Sequence, residues 1–163
     1  MNFKNNVLLI GSIPPPIGGI TIHIERFLEN CNNNPSIKIV LFDYKKIQFF
    51  NSDKTKLTLW KGIVFFFTAH IVHIHLSTSI KKIIAFGCKF LFFKKVVYTH
   101  HNSIINNLKL HQQLFKIVNK VILVNSEKIN SLLLTEFKDK IVEIPAFIPP
   151  LSVTQLPEFW KNK

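Results

Sequence analysis

The pattern of apolar and polar positions along the chain switches repeatedly between two periods. Short apolar runs bounded by turn residues read as strands: "NVLLI", "SIKIVLFD", "HIVHIH", "KVVYTH", "KVILV" and "KIVEI", with "KIQFF" as a short extra one. Between them, apolar residues recur at helical spacing. Ile20, Ile24, Phe27, Leu28 and Cys31 form the first such face, and residues 56–68 read as a second helix. Ser79 stands where a cap would open a third, running to about Phe93. Ile105, Leu108, Phe115 and Val118 mark a fourth, and Asn125 or Ser126 would cap a fifth through Phe137.

Apolar strands alternating with helices predict an α/β fold: a Rossmann-like, doubly wound, mainly parallel sheet covered on both faces. The pattern predicts one domain over residues 1–150. Residues 151–163, "LSVTQLPEFWKNK", read as a hinge and the opening of something further, with Leu156, Phe159 and Trp160 suited to a partner surface.

Composition narrows the classes. The 163 residues suffice for one domain with a proper core, and 47% apolar against 18% charged is a globular balance. A net charge of +12 favours anionic partners: nucleic acid, anionic lipid or phosphorylated ligands. Arg26 is the only arginine, so the bidentate fork on which base readers depend is nearly missing, and nucleic acid ranks last. Cys31 and Cys88 show neither metal-ligand spacing nor a disulfide framework, which fits the reducing cytoplasm. The N-terminus has no signal-peptide pattern. "GIVFFFTAHIVHIHL" is interrupted by histidines and too short for a membrane span.

In a sheet of this class, ligands bind beyond the carboxyl ends of the strands, where strand order reverses. The loop "GSIPPPIGG" follows the first strand. Gly18 and Gly19 would let backbone approach a ligand, and the helix behind them offers free N–H groups to an oxyanion or pyrophosphate. An ordinary strand-to-helix turn is the equal alternative. His73 and His75 share a strand face, with His75 at its carboxyl end, and His100 and His101 end the next strand. If those strands are neighbours, His75, His101 and the glycine loop share a crevice. No cysteine or carboxylate pattern accompanies these histidines, so no metal is expected; bonds to substrate hydroxyls or phosphate are, with His70 and His73 structural. No nucleophile elbow, Walker loop or carboxylate pair stands out. In "SIKKIIAFGCKFLFFKK", Lys82, Phe86, Lys89 and Phe93 are spaced to line one helix face. That face suits either an anionic membrane surface or a buried helix with snorkelling lysines.

Taken in order, "LLIGSIPPPIGGITIHIERF", "AHIVHIHLSTS", "KVVYTHHNS", "VILVNSEKINSLL" and "VEIPAFIPP" resemble the N-terminal domain of family 4 retaining glycosyltransferases with the GT-B fold. The bacterial members that build capsule, lipopolysaccharide O-antigen and exopolysaccharide are the most similar. The resemblance implies two Rossmann-like domains, the first binding acceptor and the second a nucleotide-sugar donor. It implies metal-free transfer of a sugar to a glycan or polyprenyl-linked acceptor, with retention. Gly18 and Gly19 then approach the donor diphosphate, and His101, at the "T-x-H" position, acts at the reacting sugar. His75, His100 and Asn102 join the substrate-binding set. His70 stands where the family often has Asp. The family's donor-holding glycine-lysine-glycine segment and paired glutamates belong to its second domain, and nothing in these residues replaces them. The resemblance therefore implies an acceptor half that is inactive alone, a truncated product or one subunit of a split enzyme, peripheral on the inner face of the cytoplasmic membrane. The competing reading is a non-catalytic membrane-surface or scaffold subunit.

Overall fold

The computed structural model describes residues 5–15, 17–32, 34–102, 105, 107–124, 129 and 131–144. The expected helix cap at Asn125 or Ser126 and the tail at 151–163 lie outside them. The elements follow as β1 (Asn5–Gly11), α1 (Gly19–Asn32), β2 (Ile37–Asp43), β3 (Gln48–Asn51), β4 (Lys56–Leu57), α2 (Leu59–Thr68), β5 (Ile71–Ile74), α3 (Lys81–Phe86), β6 (Lys95–His100), α4 (Leu108–Ile117), β7 (Lys120–Leu123), α5 (Ser131–Glu136) and β8 (Ile141–Glu143). A π-helical turn, Gly87–Leu91, continues α3.

All eight strands form one sheet in the order β4-β3-β2-β1-β5-β6-β7-β8. Pairings are parallel except β2 with β3 and β3 with β4. The fold is thus the expected Rossmann-like α/β type. From β1 the chain winds outward one way to β4, then returns through α2 to β5 on the other side of β1. Strand order reverses between β1 and β5, so their carboxyl ends open the crevice in which such sheets hold ligands.

Alternation along the strands sorts the core into two layers. Val7, Leu9, Ile39 and Leu41 pack with Ile24 and Leu28 of α1. Leu8, Ile10, Val72, Ile74, Val96 and Tyr98 face the other way, packing with Phe65 of α2, Ala85 of α3, Leu114 and Phe115 of α4 and Leu133 of α5.

Two lysines have structural work at helix ends, where C-terminal carbonyls lack partners. Lys94 donates to the carbonyls of Phe67 and Ala69 behind α2, and Lys140 donates to those of Phe115, Lys116 and Val118 behind α4. Lys54 holds Glu25 and Glu29 of α1. The positive charge is therefore only partly available to a ligand.

Three expectations are corrected. The helix read over 56–68 begins at Leu59: Lys56 and Leu57 pair with β3 instead, and Thr58 accepts from the Lys61 N–H as cap. Ser79 does not cap α3, which starts at Lys81 without a side-chain cap. Lys82, Phe86, Lys89 and Phe93 do not share one helix face. The π turn inserts a residue into the register, and Phe93 lies beyond it with a left-handed φ of 51°. Lys82 reaches Gln113 of α4 and Lys89 reaches Asn119 before β7.

Candidate functional site

The loop after β1 is anchored by a single carboxylate. Asp43 is fully buried at the end of β2, accepting from the Ser12 hydroxyl and the Ile13 N–H through one oxygen and from the N–H groups of Lys45 and Lys46 through the other. Pro14 and Pro15 are joined by a cis peptide bond. The loop then delivers Gly18 and Gly19, both exposed, to the start of α1, where the Thr21 hydroxyl accepts from the Gly18 N–H at 2.9 Å. Neither glycine has a positive φ. A Cβ on Gly19 would meet nothing within 4 Å, and one on Gly18 only the Thr21 hydroxyl at 3.9 Å. Internal packing gives no reason for this glycine pair.

Because β5 pairs with both β1 and β6, the strand ends bring the histidines together. His75 Nδ1 lies 2.9 Å from His101 Nε2. His73, below them on the same face, bonds Thr99 Oγ1 at 2.7 Å, and its ring lies tilted against that of His75, 4.2 Å between centroids. The roof is α1: His23 sits edge-on to His101 at 4.8 Å between centroids, and Phe27 edge-on to His73 at 5.5 Å. His73 fills the structural role expected of it; His70 is exposed at the remote end of β5.

Burial sets the protonation of this cluster. Desolvation, with mutual repulsion among the rings, lowers His73 and His101 to about 3 and takes His75 well below its ordinary value, and desolvation with the Arg26 charge lowers His23. At neutral pH all four are uncharged hydrogen-bonding groups, able to donate from one nitrogen and accept at the other. Ligand atoms of His23, His75 and His101 lie within 4.8 Å of one another, which is close enough to share a metal ion. His75 Nδ1 and His101 Nε2 already serve each other, however, and His75 Nε2 has no hydrogen-bond partner among the described residues. A metal held through His75 Nδ1 would lack the second-shell acceptor that ligating histidines use.

His100 takes the opposite side. One residue before His101 and two after Tyr98, it joins the other layer, where Tyr98, Lys81 and His111 meet it. A cleft of about 140 Å³ opens here, and both sides contribute to its wall: Ile20 from α1, His100 at the end of β6 with His101 and Asn102 after it, and Lys81 and His111 from the helices. Of the residues expected at the site, His100, His101 and Asn102 line the cleft and His75 bonds His101 behind it; Gly18 and Gly19 do not line it, and only their neighbour Ile20 does. His23, Lys81, Tyr98 and His111 escaped the sequence reading. For His23 the signal was its place one turn into a helix whose start was already suspected. For Lys81 it was "STSIKK" directly after a strand end.

No helix among the described residues is long and apolar enough to cross a membrane. No family model, curated protein or solved structure gives a significant match to this chain.

Proposed function

We propose that this chain is the acceptor-binding half of a retaining glycosyltransferase of the GT-B kind, passing a sugar from a nucleotide-sugar donor to a glycan or lipid-linked acceptor. The observation that carries the reading is convergence. Ile20, which directly follows the glycine pair that the resemblance singles out, and His101 line one cleft beside the β1–β5 reversal, although they lie far apart in the chain. Space beside Gly19 that no side chain uses suits a diphosphate on the N–H groups of α1. A neutral His101, oriented by His75, suits hydrogen bonding to a sugar hydroxyl, and its ring can share charge that develops at the reacting carbon. In such an enzyme the donor's main hold would come from a second domain, so donor contact with these residues alone would be weak.

Weak contact is visible by NMR. Titration with UDP, GDP and their sugar derivatives should shift the amides of Gly18 and Gly19 and the ring of His101, and Gly19→Asp should abolish the shifts. Shifts confined to other surfaces, or none, would overturn the reading. One observation favours the non-catalytic membrane-surface alternative: Ile83, Phe86, Phe90, Leu91 and Phe93 are all at least half exposed around α3 and its π turn. Sedimentation with anionic vesicles, without any nucleotide shift at Gly19, would support that one instead.

A further inference from the structure

On the sheet face opposite the imidazole cluster, a chain of donors runs into the cleft wall. Lys81 Nζ donates to the Tyr98 hydroxyl at 2.9 Å and to His111 Nε2 at 3.2 Å. His111 Nδ1 donates to the Asn107 carbonyl, which fixes Nε2 as the acceptor. The Tyr98 hydroxyl, having accepted from Lys81, donates to His100 Nδ1 at 3.1 Å. The proton of His100 is thereby left on Nε2. That nitrogen is buried in a residue only 3% exposed and makes no hydrogen bond among the described residues, although the Asn102 backbone is near enough to favour a protonated ring slightly. Lys81, also 3% exposed, has three N–H groups and spends two of them on described residues.

Charge points the same way. Burial brings the Lys81 ammonium down to about 8, so it still carries its proton at neutral pH. Among the described residues no carboxylate lines the cleft, and their ion pairs use other lysines. A buried ammonium without a counter-charge is costly, and an anion in the cleft would offset that cost. Size restricts which anion. The cleft's 140 Å³ equals the share of roughly four to five waters at about 30 Å³ each, which suits one tetrahedral oxyanion. It falls well short of the roughly 300 Å³ at which pockets for larger organic ligands begin.

We propose that this cleft binds a single phosphate group, with Lys81 supplying the charge, His100 Nε2–H a directed donor, and Ser77, Ser79 and Asn102 the rim. The phosphate belongs to a substrate, as its terminal phosphomonoester or as one end of a diphosphate. The site stands on its own geometry and rests on the preceding reading only for the kind of molecule that carries the phosphate.

The test is a titration of the whole chain with inorganic phosphate, against chloride at equal ionic strength, followed through the His100 and His111 ring resonances and the melting temperature. Saturable shifts and a rise in Tm are expected. Lys81→Met should weaken phosphate at least tenfold, while Lys82→Met, which removes the same charge one residue away, should leave it unchanged. Should Lys81→Met fail to fold, the double change Ser77→Ala with Ser79→Ala touches only exposed rim residues and should weaken phosphate several-fold. No saturable shift, or equal losses in the two lysine variants, would overturn the proposal by reducing the effect to net charge. Competition by a soluble hexose 1-phosphate assigns the site to a water-soluble substrate, and competition by vesicles carrying a long-chain alkyl phosphate assigns it to a lipid-linked one. Competition by neither overturns its assignment to a substrate. These readouts are separate from the nucleotide shifts at Gly19, so either proposal can fail while the other survives.

Discussion

His101 and His100 are neighbours in the chain, yet they join two clusters that solve burial in opposite ways. Under α1, His23, His73, His75 and His101 pack against one another and Phe27 in tilted and edge-on contacts, and shed their protons. Across the sheet, Lys81 keeps its proton and donates hydrogen bonds to Tyr98 and His111. An imidazole can leave its charge behind at little cost near neutral pH, whereas an ammonium, which holds its proton to far higher pH, cannot. The first cluster is therefore a neutral hydrogen-bonding surface and the second an electrostatic one. A crevice that meets both offers a sugar and an anion different walls.

The largest expected effect comes from acid. His73 and His101 near 3 and His100 near 4 lie far below 6.5, the ordinary value that they regain on unfolding. Between those limits the unfolded chain binds more protons, so stability is full above about pH 6.5 and falls as pH drops toward 4. A tenfold difference in proton affinity between the folded and unfolded chain is worth about 1.4 kcal/mol, and several rings contribute, so the loss should reach several kcal/mol. Urea melts across that range check it. His75→Phe should flatten the profile, because it removes one proton-excluding ring; Lys81→Met should flatten it less, acting only by relieving the repulsion that Lys81 adds to the burial of His100 and His111. A flat profile in the parent chain would mean that the rings stay solvated.

Gly11→Ala should break the first cluster selectively. Its Cβ would overlap Ile24 Cδ1, which belongs to a fully buried side chain, and touch His75 Cβ at 3.4 Å. Overpacking of this sort costs about 1–3 kcal/mol. Displacement of α1 should move the ring resonances of His23, His75 and His101 and leave that of His111 in place. Equal movement of all four would show that the sheet does not insulate the two sides.

Tyr98 and Thr99 make the same point at higher resolution. Tyr98→Phe removes the hydroxyl between Lys81 and His100; Thr99→Val removes the partner of His73. Each leaves buried polar atoms unpaired and should cost about 1–3 kcal/mol. If the two networks are independent, the double variant should equal the sum of the single ones within about 0.5 kcal/mol. A larger coupling, read from chemical denaturation, would join them into one site.

Periodicity made the layers legible, because parallel strands buried on both faces leave near-continuous apolar runs: β1, α1, β2 and β6 fall where the pattern set them. What it missed depends on partners distant in sequence. Lys56 and Leu57 are a strand only because β3 lies alongside, and the pattern of residues 56–68 alone fits a helix. The π turn, which takes Phe93 off the helix, has no signature in spacing. At the site, the two-residue period separates His100 from His101, but nothing local says which helix each will meet. Lys81 looked like one surface lysine among many until Tyr98 and His111, at 17 and 30 positions away, enclosed it.

The smallest change in stability would be the most telling for function. Gly19 lies exposed at the first turn of α1, without a positive φ and with open space where a side chain would go, so Gly19→Ala should change stability by no more than about 0.5 kcal/mol. Alanine even favours the helix intrinsically. A glycine that folding does not need is explained if something outside the fold comes close to its backbone. A methyl group there would hold a diphosphate away from the N–H groups of α1, and a few tenths of an ångström of lost approach weakens each charge-assisted bond. The nucleotide-induced amide shifts at Gly18 should therefore fall several-fold in a variant as stable as its parent, while phosphate binding at Lys81 should persist. Unchanged nucleotide shifts would make the loop an ordinary turn and leave the Lys81 cleft as the crevice's anion site.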